Sequence, residues 1–348
     1  MKATIFHAPL DVRVETVPDP PVRERTDAVV RVVNAAICGS DLWFYRGISK
    51  WEPGWRTGHE FIGRVEAVGA GVRDVKVGDV VAAPFAFSDG SCEHCLHALY
   101  TSCEHGGMWG REFESGGQGE LVRVPFADAV LVKMPEAVAH DARKRTAALA
   151  LTDVMSTGHH GVVRAQGGAG KIVMVIGDGA VGLCAVLAAR RLNADRIVAV
   201  GHHAARLAIA KQFGASDLID SKGNDTAAQI IELTRGGPHA VVEAVGSQAT
   251  MDLAIAVCRP GGTVSYVGVP HGVKTFDSSR VFGENITIAG ALAPVRAYLP
   301  ELLADVANGT IDPSPVFDVR LPLDRTPEGY ALMHERRAIK VALEVSAP

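Results

Sequence analysis

A glycine-rich turn between an apolar run and a helical segment constrains the fold of this chain more than any other feature. The run KIVMVIG, residues 171–177, has the unbroken apolar character of a strand that is buried on both faces. It leads into GDGAVG, residues 177–182, a GxGxxG pattern that opens the helical segment AVGLCAVLAARRL. Such glycines permit a tight turn and the close approach of a pyrophosphate, and the helix N-terminus offers free N–H groups. We therefore predict a dinucleotide-binding loop formed by Gly177, Gly179, Ala180, Val181 and Gly182.

Strand-like and helical segments alternate from residue 151 onward, which is typical of a doubly wound α/β domain with a parallel sheet. The further strand-like segments are RIVAVG, HAVVEAVG, GTVSYVGVP and ITIAGAL, and helices are predicted in AARLAIAKQFG and ATMDLAIAVCRP. Before residue 151, short valine-rich runs separated by turns predict an irregular, mostly β domain. The C-terminal part adds a helix, AYLPELLADVANG, and a final strand, IKVALEV.

Composition and charge exclude several classes of protein. With 348 residues, 47% apolar and 21% charged, the chain fits a globular protein of two domains. A net charge of −4 gives no electrostatic case for binding nucleic acid. No apolar run reaches the roughly 18 residues of a membrane span. The N-terminal MKATIFHAPLDVRVE alternates like a strand and does not resemble a signal peptide, so we expect a cytoplasmic protein.

The six cysteines do not suggest a secreted, disulfide-rich protein. Cys184 and Cys258 lie in apolar surroundings and are interpreted as buried thiols. The others are the isolated Cys38 and three cysteines close together in sequence, Cys92, Cys95 and Cys103. Three clustered thiolates indicate a tetrahedral metal site that needs a fourth ligand.

The end of the strand RIVAVG bears on the identity of the dinucleotide. In NAD-binding proteins an acidic residue about 20 residues beyond the glycines binds the ribose 2′-hydroxyl. This chain has Gly201 there, so no carboxylate of that residue would repel a 2′-phosphate, and three side chains that suit a phosphate follow: His202, His203 and Arg206. We therefore expect NADP rather than NAD, with a solvated loop on a weak NAD binder as the alternative.

Cys38 and the segment Gly58-His59-Glu60 supply further metal-binding side chains. Thiolate, imidazole and carboxylate all bind zinc, and a catalytic zinc keeps one position open for water or substrate. The segment GHEFIGRVEAVGAGV, residues 58–72, fits the signature of zinc-containing alcohol dehydrogenases, G-H-E-x2-G-x5-G-x2-V. Because ICGSD, VKVGDVV, the cysteine cluster and the GxGxxG turn occur in the expected order, the whole chain resembles the medium-chain dehydrogenase/reductase superfamily.

The resemblance implies a catalytic zinc bound by Cys38, His59 and Asp153. Asp153 lies in LTDVMSTG, where many members carry cysteine, and the Cys-His-Asp set resembles a bacterial and archaeal branch. That branch includes NADP-dependent secondary alcohol dehydrogenases. Glu60 is then a neighbour or an exchanging ligand of the zinc, and Asp41 orients the zinc-bound histidine.

The resemblance also implies that Ser40 passes the alcohol proton outward and that Thr157 lies beside the nicotinamide. A serine that merely caps a turn is the alternative for Ser40. Many relatives place a histidine three residues further on as the outlet of the proton relay, and this chain has Trp43 there. The relay then ends in water, in the cofactor ribose or in another histidine, or Trp43 shapes the substrate pocket instead.

In the same family a surface lobe carries a structural zinc bound by four cysteines. Cys92, Cys95 and Cys103 match the second, third and fourth of these, and Asp89 stands where the first is expected. A carboxylate oxygen is an acceptable zinc ligand, so Asp89 is the predicted fourth ligand. The alternatives are a lobe without metal, a redox pair of the first two cysteines, or a fourth ligand from a histidine that breaks the family register, His94 or His97.

Together these features predict an α/β enzyme, a zinc-dependent alcohol dehydrogenase that uses NADP to interconvert an alcohol and an aldehyde or ketone. The resemblance implies a GroES-like, mostly β catalytic domain of residues 1–155 and 293–348, a zinc lobe at 85–110, and a Rossmann domain of residues 156–292. It also implies two zinc ions per chain and a homotetramer, with a homodimer as the alternative. The competing functions are an NAD-dependent polyol or sugar dehydrogenase, a zinc-less quinone or enone reductase, and a nucleotide-binding protein without catalysis.

Overall fold

The computed structural model describes residues 1–110, 115–222, 225–290 and 292–347. Contacts between Cα atoms divide the chain into two compact units. Unit 1 comprises Met1–Asp153 and Pro294–Pro348, and unit 2 comprises Val154–Ala293. The domain boundaries expected from the sequence, after residues 155 and 292, differ from these by one or two residues.

Within these ranges, the strands are β1 (Lys2–Ala8), β2 (Asp11–Thr16), β3 (Ala28–Ile37), β4 (Glu60–Val68), β5 (Val80–Ala83), β6 (Ala86–Phe87), β7 (Gly107–Met108), β8 (Leu121–Val124), β9 (Val132–Lys133), β10 (Ile172–Ile176), β11 (Arg196–Gly201), β12 (Asp217–Asp220), β13 (Ala240–Glu243), β14 (Thr263–Tyr266), β15 (Thr287–Gly290), β16 (Val319–Pro322) and β17 (Val341–Glu344). The α-helices are α1 (Asp41–Tyr45), α2 (Glu93–Leu96), α3 (Ala127–Val130), α4 (Glu136–Ala139), α5 (Ala142–Leu151), α6 (Val154–Arg164), α7 (Ala180–Arg191), α8 (Ala204–Phe213), α9 (Thr226–Thr234), α10 (Gln248–Val257), α11 (Ser278–Gly283), α12 (Val295–Asn308) and α13 (Thr326–His334).

Unit 2 is built on a parallel sheet whose strands are connected by helices. The strand order is β12-β11-β10-β13-β14-β15, and every neighbouring pair is parallel. The inner strands are apolar runs with buried side chains, as expected for a parallel sheet that is covered by helices. The strand order reverses between β10 and β13, and the GDGAVG turn follows β10 at this crevice. The doubly wound domain predicted from the sequence is therefore confirmed.

Unit 1 is built on a mixed seven-stranded sheet. Its strands follow the order β16-β17-β3-β4-β5-β9, and β8 also pairs with β3. β3 runs antiparallel to both β4 and β17, so the end of β3 lies beside the starts of both neighbours. Pairing of Ala36 with Glu60 and of Ile37 with Val341 fixes this register. This register places three chemically active side chains at the same end of the sheet, where β3 ends and β4 and β17 begin. They are the side chains of Cys38, His59 and Lys340.

The sequence patterns do not predict β12 and α9. β12, with the sequence DLID, is an edge strand in which only Ile219 is buried, so it lacks the apolar run that marks the inner strands. α9 buries only Ile230 and Thr234. No helix in the described ranges is both long and apolar enough to cross a membrane.

Candidate active site and metal centres

The strand ends of unit 1 bring together the side chains that the resemblance assigns to a catalytic metal. Cys38 directly follows β3, and His59 directly precedes Glu60, the first residue of β4. Because β3 and β4 are antiparallel neighbours, these positions meet at one edge of the sheet. Asp153 reaches the same place from the turn after α5, which is held by a 3.0 Å hydrogen bond from the Phe85 N–H to the carbonyl of residue 152.

These four side chains form a compact, buried set of metal donors. Cys38 Sγ lies 3.2 Å from Asp153 Oδ2, and His59 Nε2 lies 3.4 Å from the same oxygen. One donor atom from each of Cys38, His59, Glu60 and Asp153 lies within 4.8 Å of the other three. Zinc ligands in a tetrahedron with bonds of about 2.0–2.3 Å lie about 3.3–3.8 Å apart, so the observed spacing fits zinc. Burial and the negative charges of Asp153 and Glu60 raise the pKa of the Cys38 thiol to about 11. A bound divalent cation would offset the repulsion between the thiolate and these carboxylates.

Asp41 holds the His59 ring in a single orientation. His59 Nδ1 lies 3.2 Å from Asp41 Oδ1, and Asp41 Oδ2 accepts the Cys38 N–H at 3.0 Å. With the proton on Nδ1, Nε2 presents its lone pair toward Cys38 and Asp153. Gly58 has a φ of +91°, and a Cβ there would collide with Gln118. Packing against Gln118 therefore explains the glycine of the G-H-E motif, beside the predicted ligand His59.

Lys340 is a residue of this site that the sequence patterns miss. Its Nζ lies 2.6 Å from Glu60 Oε1 and 3.3 Å from the Ile37 carbonyl oxygen, and both charged side chains are 1% exposed or less. Glu60 Oε2 has no hydrogen-bond partner among the described residues. Burial raises the pKa of Glu60 to about 7 despite the lysine. A lysine at the start of the apolar strand IKVALEV is the sequence signal that points to a buried partner.

Ser40 lies at the N-terminus of α1, two residues from Cys38. Its side chain makes no capping hydrogen bond to that helix, which argues against the capping role. Trp43 lies in the same short helix and is half-buried. The hydroxyl of Ser40 is therefore available for another role beside the metal donors.

The four predicted ligands of the lobe also lie together. One donor atom from each of Asp89, Cys92, Cys95 and Cys103 lies within 4.8 Å of the other three. Cys92 Sγ and Cys103 Sγ are 3.7 Å apart, close to the edge of about 3.8 Å that a zinc tetrahedron of thiolates has. This second donor set thus also fits zinc.

The Asp89 carboxylate is fixed by its own hydrogen bonds. Oδ1 accepts the N–H groups of Ser91 and Cys92 at 2.8 and 3.0 Å, and Oδ2 lies 2.6 Å from His105 Nδ1. His105, which the sequence patterns miss, thus orients the predicted fourth ligand. In the described part of the chain, the close group of lobe donors does not include His94 or His97.

The glycines of the GDGAVG turn differ in what they allow. Gly177 has a φ of +116°, as the tight turn between β10 and α7 requires. A Cβ at Gly182 would collide with the Gly177 carbonyl oxygen, so α7 can approach the turn only with glycine there. A Cβ at Gly179 would meet nothing within 4 Å, which leaves open space at the start of α7. Ala180 and Val181 open that helix, so this space adjoins free N–H groups that suit a pyrophosphate.

Asp178, which the sequence patterns also miss, brings a carboxylate to the side of Gly201. A Cβ at Gly201 would lie 2.7 Å from Asp178 Oδ2. That oxygen accepts the N–H groups of His202 and His203 at 2.8 and 2.9 Å and lies 3.0 Å from His203 Nδ1. Burial alone would raise the pKa of Asp178, but these hydrogen bonds have the larger effect, so the net result is a lowered pKa. Arg206 Nη1 lies 3.9 Å from the other oxygen.

Comparison with known proteins identifies the family. Residues 24–136 match the alcohol dehydrogenase GroES-like domain, and residues 180–308 match the family described as zinc-binding dehydrogenase. Zinc-type alcohol dehydrogenase B of Aspergillus flavus is 33% identical, over 98% of this chain and 80% of its own. The chain belongs to the zinc-dependent alcohol dehydrogenases. A Mycobacterium tuberculosis protein described as a probable zinc-binding alcohol dehydrogenase is 37% identical, over 97% of this chain and 86% of its own.

The fold of this zinc-dependent alcohol dehydrogenase is shared with solved structures. Alcohol dehydrogenase TADH from Thermus sp. ATN1 superposes with a TM-score of 0.93 at 37% identity, and the match covers 99% of this chain and 100% of TADH. The predicted combination of a GroES-like domain and a Rossmann domain is therefore confirmed, and the chain is an oxidoreductase. The roles of individual residues stay predictions.

Proposed function

We propose that this alcohol dehydrogenase interconverts an alcohol and its aldehyde or ketone at a zinc ion bound by Cys38, His59 and Asp153. The observation that carries the proposal is the donor set, a buried thiol, imidazole and carboxylate at separations that suit tetrahedral zinc. Three protein ligands leave a fourth position for the substrate oxygen. Glu60, with one oxygen that lacks a partner among the described residues, is the neighbour that can exchange onto the metal.

When bound, zinc would supply Lewis-acid polarisation of the carbonyl and would lower the pKa of the alcohol, and the dinucleotide would carry the hydride. The chain's own residues orient the ligands and move the proton. Asp41 keeps Nε2 of His59 directed toward Cys38 and Asp153. The Ser40 hydroxyl, which does not cap its helix, accepts the alcohol proton and passes it toward solvent.

The lobe is proposed to hold the second zinc. Asp89, Cys92, Cys95 and Cys103 provide four protein donors and so leave no open position for a substrate, which is the pattern of a structural site. The hydrogen bonds to Asp89 from residues 91 and 92 and from His105 support a carboxylate that is held in place as a ligand.

NADP is the proposed dinucleotide. Gly201 carries no acid of its own, and the Asp178 oxygen beside it already accepts N–H groups of His202 and His203, so it is a poor acceptor for a ribose hydroxyl. Arg206 and His202 offer the charge and the hydrogen-bond donors that a 2′-phosphate needs. Thr157, on α6, is the proposed contact of the nicotinamide.

The proposed setting is the cytoplasm, and the proposed assembly is a homotetramer with a homodimer as the alternative. None of the six cysteines, all within the described residues, forms a disulfide bond, which suits a reducing compartment. Light scattering of the purified protein distinguishes the two assemblies by mass.

Steady-state oxidation of NADPH and NADH against aldehydes, ketones and sugars, together with metal analysis, tests the proposal. We expect two zinc ions per chain and chelator-sensitive turnover that prefers NADPH. Cys38→Ala should lose one zinc and the activity. Cys184→Ala, which removes a buried thiol outside both donor sets, should keep both zinc ions and the activity.

The outcomes separate the parts of the proposal. Turnover that prefers NADH would refute the cofactor assignment and favour the polyol dehydrogenase. Unchanged zinc content in Cys38→Ala, or turnover that resists chelators, would refute the catalytic metal and favour the zinc-less reductase.

A further inference from the structure

A buried glutamine connects the helix α13 to the residues around the proposed catalytic metal. Gln118, in the loop before β8, has no solvent exposure, and neither have its neighbours Thr57 and Tyr330. Its backbone is held by hydrogen bonds from its N–H to the Thr57 carbonyl at 3.0 Å and from the Thr4 N–H to its carbonyl at 2.8 Å. The backbone of Gln118 is therefore held on both sides, and its side chain lies out of contact with bulk solvent.

All four hydrogen-bonding positions of the Gln118 amide are occupied. Nε2 donates to the Ala36 carbonyl at 3.0 Å and to Asp41 Oδ2 at 3.3 Å. Oε1 accepts from the Thr57 hydroxyl at 2.6 Å and from the Tyr330 hydroxyl at 3.0 Å. Two N–H groups and two lone pairs are the full capacity of an amide.

The neighbours permit only one orientation of this amide. The Ala36 carbonyl can only accept, so the amide nitrogen must face it, and the second N–H then points to Asp41. On the other side, burial raises the pKa of Tyr330 well above its ordinary value, so the phenol keeps its proton and donates. A rotated amide would place its oxygen against two acceptors.

Asp41 consequently receives donors on both oxygens. Oδ2 accepts from Gln118 and from the Cys38 N–H, and Oδ1 lies 3.2 Å from His59 Nδ1. Because the Asp41 carboxylate can only accept a hydrogen bond from the imidazole, the ring carries its proton on Nδ1. The lone pair of Nε2 then remains for the metal. We propose that Gln118 is a positioning residue of the metal site, which acts through Asp41 to fix the orientation and tautomer of His59. The inference rests on the proposed function, because it takes His59 to be a metal ligand.

The packing around Gln118 supports a role beyond filling space. Gly58, beside His59, would collide with the Gln118 side chain if it carried a Cβ. The glutamine therefore occupies volume that the metal-binding segment leaves open for it. A methionine has nearly the same shape as glutamine and makes none of the four hydrogen bonds, so Gln118→Met separates bonding from packing.

Titration of zinc into the chelator-stripped protein, in competition with a chromophoric chelator, tests the inference. The zinc-binding event that is lost in Cys38→Ala is assigned to the catalytic site, and the one that remains is assigned to the lobe. We expect Gln118→Met to weaken zinc binding at the catalytic site by about tenfold, the lower end of the effect seen for groups that orient ligands. The lobe affinity should not change, and Gln212→Met, the same exchange at an exposed position of α8, should change neither.

A double-mutant cycle shows whether Gln118 acts through Asp41. In an Asp41→Asn background, Gln118→Met should have little further effect on zinc affinity. The inference would be overturned if Gln118→Met lowered the zinc affinity equally with Asp41 and with Asn at position 41. It would also be overturned if the zinc affinity of Gln118→Met at the catalytic site lay within twofold of that of the Gln212→Met control.

The failure of the proposed function gives a different result. If the unsubstituted protein binds zinc only in the lobe, the catalytic metal and the role of Gln118 are both refuted. If Gln118→Met does not fold, Tyr330→Phe takes its place, since it removes one donor to Oε1 and keeps the ring. We expect Tyr330→Phe also to weaken zinc binding at the catalytic site, by less than Gln118→Met. An unchanged zinc affinity in Tyr330→Phe would contradict the inference.

Discussion

Replacing Lys340 by methionine should destabilise unit 1 strongly in the absence of metal. The exchange preserves most of the side-chain volume and removes the charge that faces Glu60 at 2.6 Å. Water cannot replace the lysine, because both side chains are almost completely buried. Removing one partner of a buried ion pair costs about 3–5 kcal/mol, since Glu60 must then either stay charged without compensation or take up a proton.

Thermal unfolding of unit 1 can be followed by tryptophan fluorescence, because the protein has four tryptophans and all of them lie in that unit. Trp43, Trp51, Trp55 and Trp109 all lie in that unit, so their fluorescence does not follow the unfolding of unit 2. Thermal unfolding in excess chelator removes the contribution of bound metal. A loss of about 3–5 kcal/mol corresponds to a fall in Tm of about 6–20 °C for a unit of roughly 200 residues.

Two further variants decide whether the buried charge is the cause. Lys133→Met breaks the pair with Asp79, in which the lysine is half exposed, and should cost less than about 1 kcal/mol. Lys340→Met combined with Glu60→Gln removes both charges and should be less destabilised than the sum of the single changes. The buried ion pair is excluded as the cause if Lys340→Met costs no more than Lys133→Met, or if the two changes at the buried pair are additive.

The remaining predictions concern the lobe and unit 2. Asp89→Ala should lower the zinc content by one ion per chain without loss of the catalytic zinc, and an unchanged metal count would exclude Asp89 as a ligand. Gly201→Ala should destabilise unit 2 by about 1–3 kcal/mol, because the new Cβ would lie 2.7 Å from Asp178 Oδ2. Gly283→Ala, where a Cβ meets nothing within 4 Å, is the control, and equal circular-dichroism melting curves for the two would contradict the assigned clash. Arg196 lowers the pKa of Asp217 through their hydrogen bonds, so this pair stabilises unit 2 above the ordinary aspartate pKa and the effect is lost as pH falls through the lowered value. Arg196→Met should therefore differ from the unsubstituted protein at pH 7 and converge with it in acid, and a gap in melting temperature that widens toward low pH would contradict this.

The candidate sites were accessible from the sequence to different degrees. Cys38, His59 and the cysteine cluster are recognisable because they lie in short motifs whose spacing is covalent. Asp153 is more than 90 residues from His59 and carries no local pattern, so only the family resemblance suggested it. The structure brings its carboxylate within 3.4 Å of the imidazole, which no spacing rule could have shown.

Three sets of contacts around the sites could not be predicted from the sequence, and the reason is the same for each. Lys340 meets Glu60 across 280 positions, and Tyr330 meets Gln118 across 212. Asp178 lies inside the GxGxxG pattern, yet its hydrogen bonds to residues 202 and 203 depend on how β10 and β11 pair. Each contact arises from strand register or loop packing, and a single sequence carries no record of such pairings.

The sequence by itself determined the doubly wound domain and the glycine turn, whereas the candidate metal ligands came from the family resemblance. Hydrophobic runs and short-range spacing express these features directly, because a strand buried on both faces must be apolar and a tight turn beside a phosphate must be glycine. It missed the edge strand β12, whose exposed residues lack that apolar signal. The tertiary structure alone decided what surrounds each ligand: the lysine that compensates Glu60, the glutamine that orients Asp41, and the aspartate that fills the space beside Gly201. Buried polar groups must be paired, and only the folded chain determines which distant residue supplies the partner.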